Sequence, residues 1–210
     1  TNKARGIRGI STFLVPRDTP GLSVGNHENK MGIRTSNTTD VVFEDMRVPA
    51  SAMVGEEGKG FVICMETLDI TRALMGIGAT GIMQRCVDEA VAYSKQRITF
   101  GQPIGKFEAI QFMIADMEIK TETARQMSLH ALKLQEEGLP YGKESAIAKC
   151  YGGDIAVEVA LDAIQILGGY GYSREYPVEK LLRDAKIFQI YEGTNQIQRM
   201  VISRAVMGKF

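Results

Sequence analysis

Gly55-Glu56-Glu57-Gly58-Lys59-Gly60, running into Phe61-Val62-Ile63-Cys64-Met65, is where this chain changes its period. Before it, short runs of β-branched residues are cut by proline and glycine, the pattern of strands. After it, Met65, Leu68, Arg72, Met75 and Ala79 recur at helical spacing, and the pattern predicts a helix from about Phe61 to Ser94. Gly76, Gly78 and Gly81 weaken that helix intrinsically, so their use is to let another backbone come close. Gly55–Gly60 is not a phosphate loop, because it lacks the Gly-Lys-Ser/Thr spacing. It reads as a domain boundary, with residues 1–55 as one region and 56–210 as another.

Working outward from this boundary, residues 1–55 read as β. Ile10–Val15 is a run ending at Pro16, Leu22–Val24 follows the Pro20-Gly21 turn, and Asp40–Glu44 makes a third strand. Lys3, Arg5 and Arg8 read as a solvated strand edge. So few strands make a poor independent domain, and the region is expected to be part of a larger antiparallel β-domain whose natural beginning lies before Thr1. On the other side, Phe107, Ile110, Ile114, Met117, Ala124 and Leu132 predict a second helix to about Glu137, closed by Gly138-Leu139-Pro140. A third helix begins after Tyr141 and ends at Gly168-Gly169. Pro177 opens a fourth as a first-turn residue, and a fifth follows Thr194, a candidate N-cap. Long helices joined by short breaks make an up-down bundle, so the fold class is mainly α, a helical bundle preceded by a partial antiparallel β-domain. Met113, Met117 and Met127 are core, not a cofactor box.

Composition excludes several functions. The chain has 210 residues, enough for one large or two small domains. Lys+Arg and Asp+Glu are both 25, so nothing favours a nucleic acid or an anionic membrane as partner. Cys64, Cys86 and Cys150 are odd in number and lie in apolar helical contexts, which predicts buried free thiols and a reducing compartment. With only His27 and His130, neither a metal site nor a Ser-His-Asp triad is expected.

One acid stands where either a catalytic or a merely solvated carboxylate can be read. Glu192 sits in Tyr191-Glu192-Gly193-Thr194, a short break between two helical patterns. A carboxylate held from both sides can project into a cleft as a general base, although most loop acids are simply solvated. Tyr191-Glu192-Gly193-Thr194-Asn195-Gln196-Ile197-Gln198-Arg199 resembles the C-terminal signature of the acyl-CoA dehydrogenases. The resemblance extends over essentially the whole chain. Lys30–Arg34 and Val42–Pro49 are similar to phrases of that family's middle β-domain, and Gly55–Gly60 to the entry of its C-terminal helical domain.

The resemblance implies a reaction and a set of residues. Glu192 would remove the α-proton of an acyl-CoA thioester while the β-hydrogen leaves as hydride to N5 of FAD, giving a trans-2-enoyl-CoA. The backbone N–H of Glu192 and a ribityl hydroxyl of FAD would stabilise the enolate-like oxygen. Gly193 suits the tight backbone beside the thioester. Some subfamilies carry the base on the first helix instead, at the position of Thr71, and threonine cannot serve. Asp69 and Arg72 match residues that contact the CoA part of the substrate; an i,i+3 surface ion pair is the plainer reading. Arg97, Thr99 and Phe100 resemble a loop that reaches the FAD pyrophosphate of a neighbouring subunit, where a guanidinium fork suits a diphosphate. Gln165 and Gly169 resemble the segment at the adenosine end, also across subunits, and Thr194 and Gln196 match positions touching the flavin of their own subunit. Glu108 departs from the glutamine of many relatives and is left out of the site.

The family also implies an electron-transfer flavoprotein as electron acceptor, a homo-oligomer (dimer or tetramer) and a place in fatty-acid β-oxidation, in the bacterial cytoplasm or the mitochondrial matrix. An acyl-CoA oxidase or enoyl-CoA reductase of the same fold stands as the alternative, as does a non-catalytic helical assembly fragment. The chain by itself is expected to fold as a helical, colourless fragment without turnover, since flavin-ring contacts and most of the acyl pocket would precede Thr1.

Overall fold

The computed structural model describes residues 1–208. Five α-helices carry most of the chain: α1 (Gly60–Gln96), α2 (Glu108–Glu136), α3 (Gly142–Leu167), α4 (Val178–Ala185) and α5 (Asn195–Met207). Six short strands, β1 (Thr12–Phe13), β2 (Leu22–Val24), β3 (Val41–Phe43), β4 (Met53–Val54), β5 (Ile98–Thr99) and β6 (Gln102–Pro103), pair antiparallel as β1–β4, β2–β3 and β5–β6. The chain divides into two compact units. One comprises residues 1–30 and 34–68; the other comprises residues 31–33 and 69–210.

In the first unit, β2 and β3 align Leu22 with Phe43 and Val24 with Val41, and β1 and β4 align Thr12 with Val54. The expected strand from Ile10 to Val15 survives only at Thr12–Phe13, and its partner Met53–Val54 was not anticipated. Lys3, Arg5 and Arg8 do not edge a strand. They lie in a kinked 3-10 segment, Lys3–Gly9, which starts where the Asn2 side chain accepts the Ala4 N–H. Cys64 is exposed, contrary to the expectation of three buried thiols, whereas Cys86 and Cys150 are buried. Burial, with the nearby charge of Glu89, pushes the Cys86 thiol up to about 12, as an inert core thiol requires.

The second unit is a helical bundle built on α3, which packs against α2, α4 and α5. Its core is dominated by alanine: Ala79, Ala90, Ala124, Ala156, Ala160 and Ala163 are all fully buried. Such small side chains bring helices close together, and the glycines continue the device. A Cβ on Gly76 would stand 2.3 Å from Ser128 Oγ and 3.2 Å from the Ala148 carbonyl oxygen, so α1, α2 and α3 meet at this point. A Cβ on Gly78 would stand 3.2 Å from the Phe188 ring, a side chain, and one on Gly81 would meet nothing within 4 Å, so close approach of another backbone is found at Gly76 alone of the three.

Buried polar residues inside α2 are satisfied within their own helix. Thr121 and Ser128 donate to the carbonyls of Met117 and Ala124, one turn back. α3 ends at Gly168, whose φ of 60° only glycine adopts cheaply. Pro177 stands just before α4, one place earlier than expected, in helical backbone conformation. Residues 31–33 are tied to α4: Asp184 accepts the Ile33 N–H at 2.6 Å, and Arg183 donates to the Met31 carbonyl at 2.8 Å.

Candidate active site

The segment between α4 and α5 carries the candidate base. A 3-10 turn, Lys186–Gln189, is followed by Ile190 and Tyr191, and the Tyr191 N–H bonds the Ile187 carbonyl at 3.0 Å. The Tyr191 ring stands edge-on to buried Phe188, with centroids 5.3 Å apart. The backbone then enters the left-handed region twice, at Glu192 (φ 56°) and Gly193 (φ 87°). For a non-glycine residue this conformation costs about 1–2 kcal/mol, so neighbours must hold it. Thr194 ends the break as foreseen, its hydroxyl capping α5 by accepting the Ile197 N–H at 3.4 Å.

The neighbours that hold this break are polar and buried. Gln198 reaches back from the first turn of α5 to donate to the Glu192 and Gly193 carbonyls, at 3.1 and 2.9 Å. The φ of 87° favours glycine at 193, where a Cβ would also stand 2.8 Å from that Gln198 nitrogen. Lys149, on α3 and only 1% exposed, donates to the Gly193 carbonyl at 2.7 Å and to Asn195 Oδ1 at 2.8 Å. Asn195 Nδ2 in turn donates to the Cys150 carbonyl and to Asp154. Asp154 also accepts from Gln189 and from Arg199, the latter at 2.6 Å.

Charge within this network is uneven. Desolvation pushes the Lys149 ammonium down to about 8; Arg72 adds to that, while Cys150, Asp154 and Glu192 oppose it. Burial works against the Asp154 carboxylate, but hydrogen bonds from Arg199, Asn195 and Gln189 hold it below its ordinary range. Burial, helped by the charge of Glu192, pushes the Tyr191 phenol up to about 12.

The Glu192 carboxylate meets α1. Thr71 Oγ1 donates to Glu192 Oε2 at 2.7 Å. Thr71 and Glu192, the two positions at which the resemblance places a base, therefore converge on one spot. Flanking Thr71 on α1, Arg72 and Asp69 form their ion pair at 2.7 Å, but not as a surface pair: Arg72 is only 6% exposed, and its Nε is buried without a hydrogen-bond partner in the protein. A buried cation with spare donor capacity suits an anionic or carbonyl-rich ligand better than a solvated face does.

A second group of predicted residues gathers elsewhere on the bundle. β5 and β6 form a hairpin whose two turn residues, Phe100 (φ 52°) and Gly101 (φ 80°), are both left-handed, the geometry that matches strand twist. Arg97, just before β5, lies 5.9 Å from the centroid of the Tyr170 ring. With Tyr93, Thr99, Gly168, Gly169 and Tyr170 it lines an open cleft of about 570 Å³. Gly168 and Gly169 have no atom within 4 Å of where a Cβ would stand, so their backbone is open to a ligand. A guanidinium fork, open glycine backbone and flanking aromatic rings fit the diphosphate and adenosine of a dinucleotide such as FAD. Phe100 is 91% exposed at the hairpin tip, and Gln165 is exposed on the last turn of α3. Neither lines the cleft, nor do Glu192, Asp69, Arg72, Thr194 or Gln196.

Lys149, Asn195, Asp154 and Gln198 escaped the sequence reading. A signal existed for Lys149: it lies within Ala146, Ala148, Gly152, Gly153 and Ala156, the small-residue buried face of α3.

Among the described residues, no helix is long and apolar enough to cross a membrane. The family model for the acyl-CoA dehydrogenase C-terminal domain matches residues 58–207. The solved butyryl-CoA dehydrogenase of Megasphaera elsdenii superposes with a TM-score of 0.97 at 49% identity, over 99% of this chain and 54% of that one. A chain in a structure of the electron transferring flavoprotein of Acidaminococcus fermentans gives a TM-score of 0.98 at 49% identity, over 100% of this chain and 55% of that one. The acryloyl-CoA reductase (NADH) of Anaerotignum propionicum is 47% identical over 207 residues, 99% of this chain and 52% of the reductase. The chain spans about half the length of the curated relatives it matches.

Proposed function

The chain belongs to the acyl-CoA dehydrogenase family, and on that premise we propose that the whole protein is an FAD-dependent enzyme that desaturates a short acyl-CoA thioester between its α and β carbons, with Glu192 as the base. The observation that carries this reading is the Glu192 carboxylate, set in a doubly left-handed break and met by the Thr71 hydroxyl at 2.7 Å. With Oε2 engaged by Thr71, Oε1 is the oxygen assigned to the α-proton. The Glu192 N–H is assigned to the thioester carbonyl, where negative charge grows as that proton leaves. Arg72 and Asp69 are assigned to the CoA part of the substrate. Bound FAD supplies the two-electron acceptor that takes the β-hydrogen as hydride. Likeness to a butyryl-CoA dehydrogenase supports the short acyl group.

Residues 1–55 are proposed as part of a middle β-domain and residues 56–210 as the helical domain. Arg97, Thr99, Phe100, Gln165 and Gly169 are assigned to the pyrophosphate and adenosine of a neighbouring subunit's FAD, while Thr194 and Gln196 touch the flavin of their own. Separation of the Arg97 cleft from Glu192 on one chain supports a flavin shared between subunits. So do exposed apolar side chains on the bundle, among them Phe112, Ile119 and Leu161. A homodimer or homotetramer follows, with an electron-transfer flavoprotein as redox partner. The protein works in the bacterial cytoplasm.

Likeness to an acryloyl-CoA reductase favours one second reading, the same chemistry run in reverse. Both are tested by anaerobic stopped-flow spectroscopy of the full-length protein. Butyryl-CoA bleaches the flavin if it is a dehydrogenase, and Glu192→Gln slows bleaching by at least ~10²-fold with FAD retained, the low end for a lost general base. Bleaching that survives in Glu192→Gln refutes the base assignment. Faster reoxidation of reduced flavin by crotonyl-CoA than bleaching by butyryl-CoA would favour the reductase.

A further inference from the structure

The bonds around the candidate base do not end at Glu192. Glu192 has a left-handed φ, as does Gly193, and an isolated loop would leave this conformation readily. Three anchors prevent that: the Tyr191 N–H is bonded to the Ile187 carbonyl, the Glu192 carbonyl to Gln198, and the Gly193 carbonyl to both Gln198 and Lys149. In a trans peptide the N–H points away from its C=O. Drawing both carbonyls inward therefore turns the Gly193 and Thr194 N–H groups the other way and fixes ψ at Glu192 and Gly193.

Of these anchors only Lys149 comes from a different long helix. Gln198 belongs to α5, the helix into which the loop it holds runs directly. Lys149 lies on α3, the element against which α2, α4 and α5 all pack. Its second bond, to Asn195 Oδ1, and the return bonds from Asn195 Nδ2 to the Cys150 carbonyl and Asp154 tie the first residue of α5 to the same face of α3. A buried ammonium is an expensive way to fill space, and a methionine of similar length would fill it without that cost. The charge is therefore retained for its direction and its donors.

We infer that Lys149 is a positioning residue for the reaction: its ammonium clamps the Gly193 carbonyl and the Asn195 carboxamide to α3 and so fixes the backbone from which Glu192 projects. The inference rests on the reading of Glu192 as the base. Lys149 acts through its bonds to the Gly193 carbonyl and Asn195 and is assigned no contact with substrate or cofactor. Arg72 on α1, Cys150 and Asp154 on α3, Glu192 in the loop and Arg199 on α5 are the charged or titratable groups that surround the clamp. Displacement of a reacting group by about 1 Å can cost ~10²-fold in rate, so a loosened clamp should be read chiefly in the rate of proton removal.

The test compares Lys149→Met with Glu192→Gln in the full-length FAD-loaded protein. The expected result for Lys149→Met is a fall of ~10- to 100-fold in the limiting rate of flavin reduction by butyryl-CoA, with KM changed less than about threefold and FAD content unchanged. Amide hydrogen exchange of residues 190–196, read in the same variant without substrate, should quicken by at least ~10-fold. Unchanged kinetics or unchanged loop protection in Lys149→Met, with Glu192→Gln inactive, overturns the clamp and leaves the base reading standing. Near-normal activity of Glu192→Gln overturns both. Should Lys149→Met not fold, Asn195→Ser cuts the second arm of the clamp and is expected to give the same pattern, more weakly; wild-type kinetics and protection there overturn the inference.

Discussion

Lys149→Met should separate stability from function, because the buried ammonium costs the fold stability that its hydrogen bonds only partly return. Lys149 is 1% exposed, and its pKa falls from 10.5 to about 8 in the folded protein. A folded value below the unfolded one means that the unfolded chain binds the proton more tightly. Between pH 8 and 10.5 the unfolded state therefore carries more charge, and stability from this group rises as pH rises. At about 1.4 kcal/mol per pH unit, the difference of 2.5 units amounts to roughly 3 kcal/mol of destabilisation at pH 7. About 2 kcal/mol of that is recovered by pH 9.5.

Methionine removes this cost but leaves Asn195 Oδ1 without its donor, a loss of about 1–3 kcal/mol; the Gly193 carbonyl keeps Gln198. The two effects nearly cancel at pH 7. Urea unfolding of the wild type and the variant at pH 7 and pH 9.5 reads the difference directly, since every other titrating group is common to both. The wild type should gain about 2 kcal/mol on the variant over that interval. A variant several kcal/mol less stable at pH 7, with a difference that stays flat or shrinks at pH 9.5, would refute the desolvation argument.

Two further substitutions probe the scaffold and the cleft. A Cβ on Gly153 would stand 2.6 Å from the Phe188 carbonyl oxygen and 3.2 Å from Asn195 Nδ2, so Gly153→Ala should cost about 1–3 kcal/mol in urea unfolding, whereas Gly81→Ala, with nothing within 4 Å, should be neutral or stabilising by about 0.5–1 kcal/mol. Arg97→Ala should weaken FAD retention of the full-length protein by ~10- to 100-fold, the worth of charge-assisted hydrogen bonds of about 1.5–3 kcal/mol. The melting temperature of the flavin-free protein should stay put, because Arg97 is exposed.

Much of this fold could be read because its signals are local. Helical spacing from Phe61, the stop at Gly138-Leu139-Pro140 and the cap pair Gly168-Gly169 depend on neighbours in sequence, and α1, α2 and α3 lie within a few residues of where those signals place them. Thr194 as the cap of α5 was legible for the same reason. The β5–β6 hairpin was not, because each strand has two residues and its turn is announced only by Gly101. Nor was the kinked segment at Lys3–Gly9, where basic residues alternate with glycine as they would along a strand edge.

At the site, the acid could be located but not its support. Lys149 joins Gly193 and Asn195 across more than forty residues of chain, and no periodicity encodes such bonds. The left-handed φ of Glu192 belongs to the same class, since glutamate carries no mark of it. Arg72 was legible as a partner of Asp69 but not as a buried one, because burial there depends on how the bundle closes over α1.

The proposed removal of the α-proton by Glu192 can be watched without net turnover. Incubate the full-length protein with butyryl-CoA in deuterium oxide without an electron acceptor, and follow the α-carbon by proton NMR. The wild type should wash deuterium into that position, and Glu192→Gln should wash it in at least ~10²-fold more slowly with FAD still bound. Equal exchange in the two proteins would contradict the account, because another group would then be taking the proton.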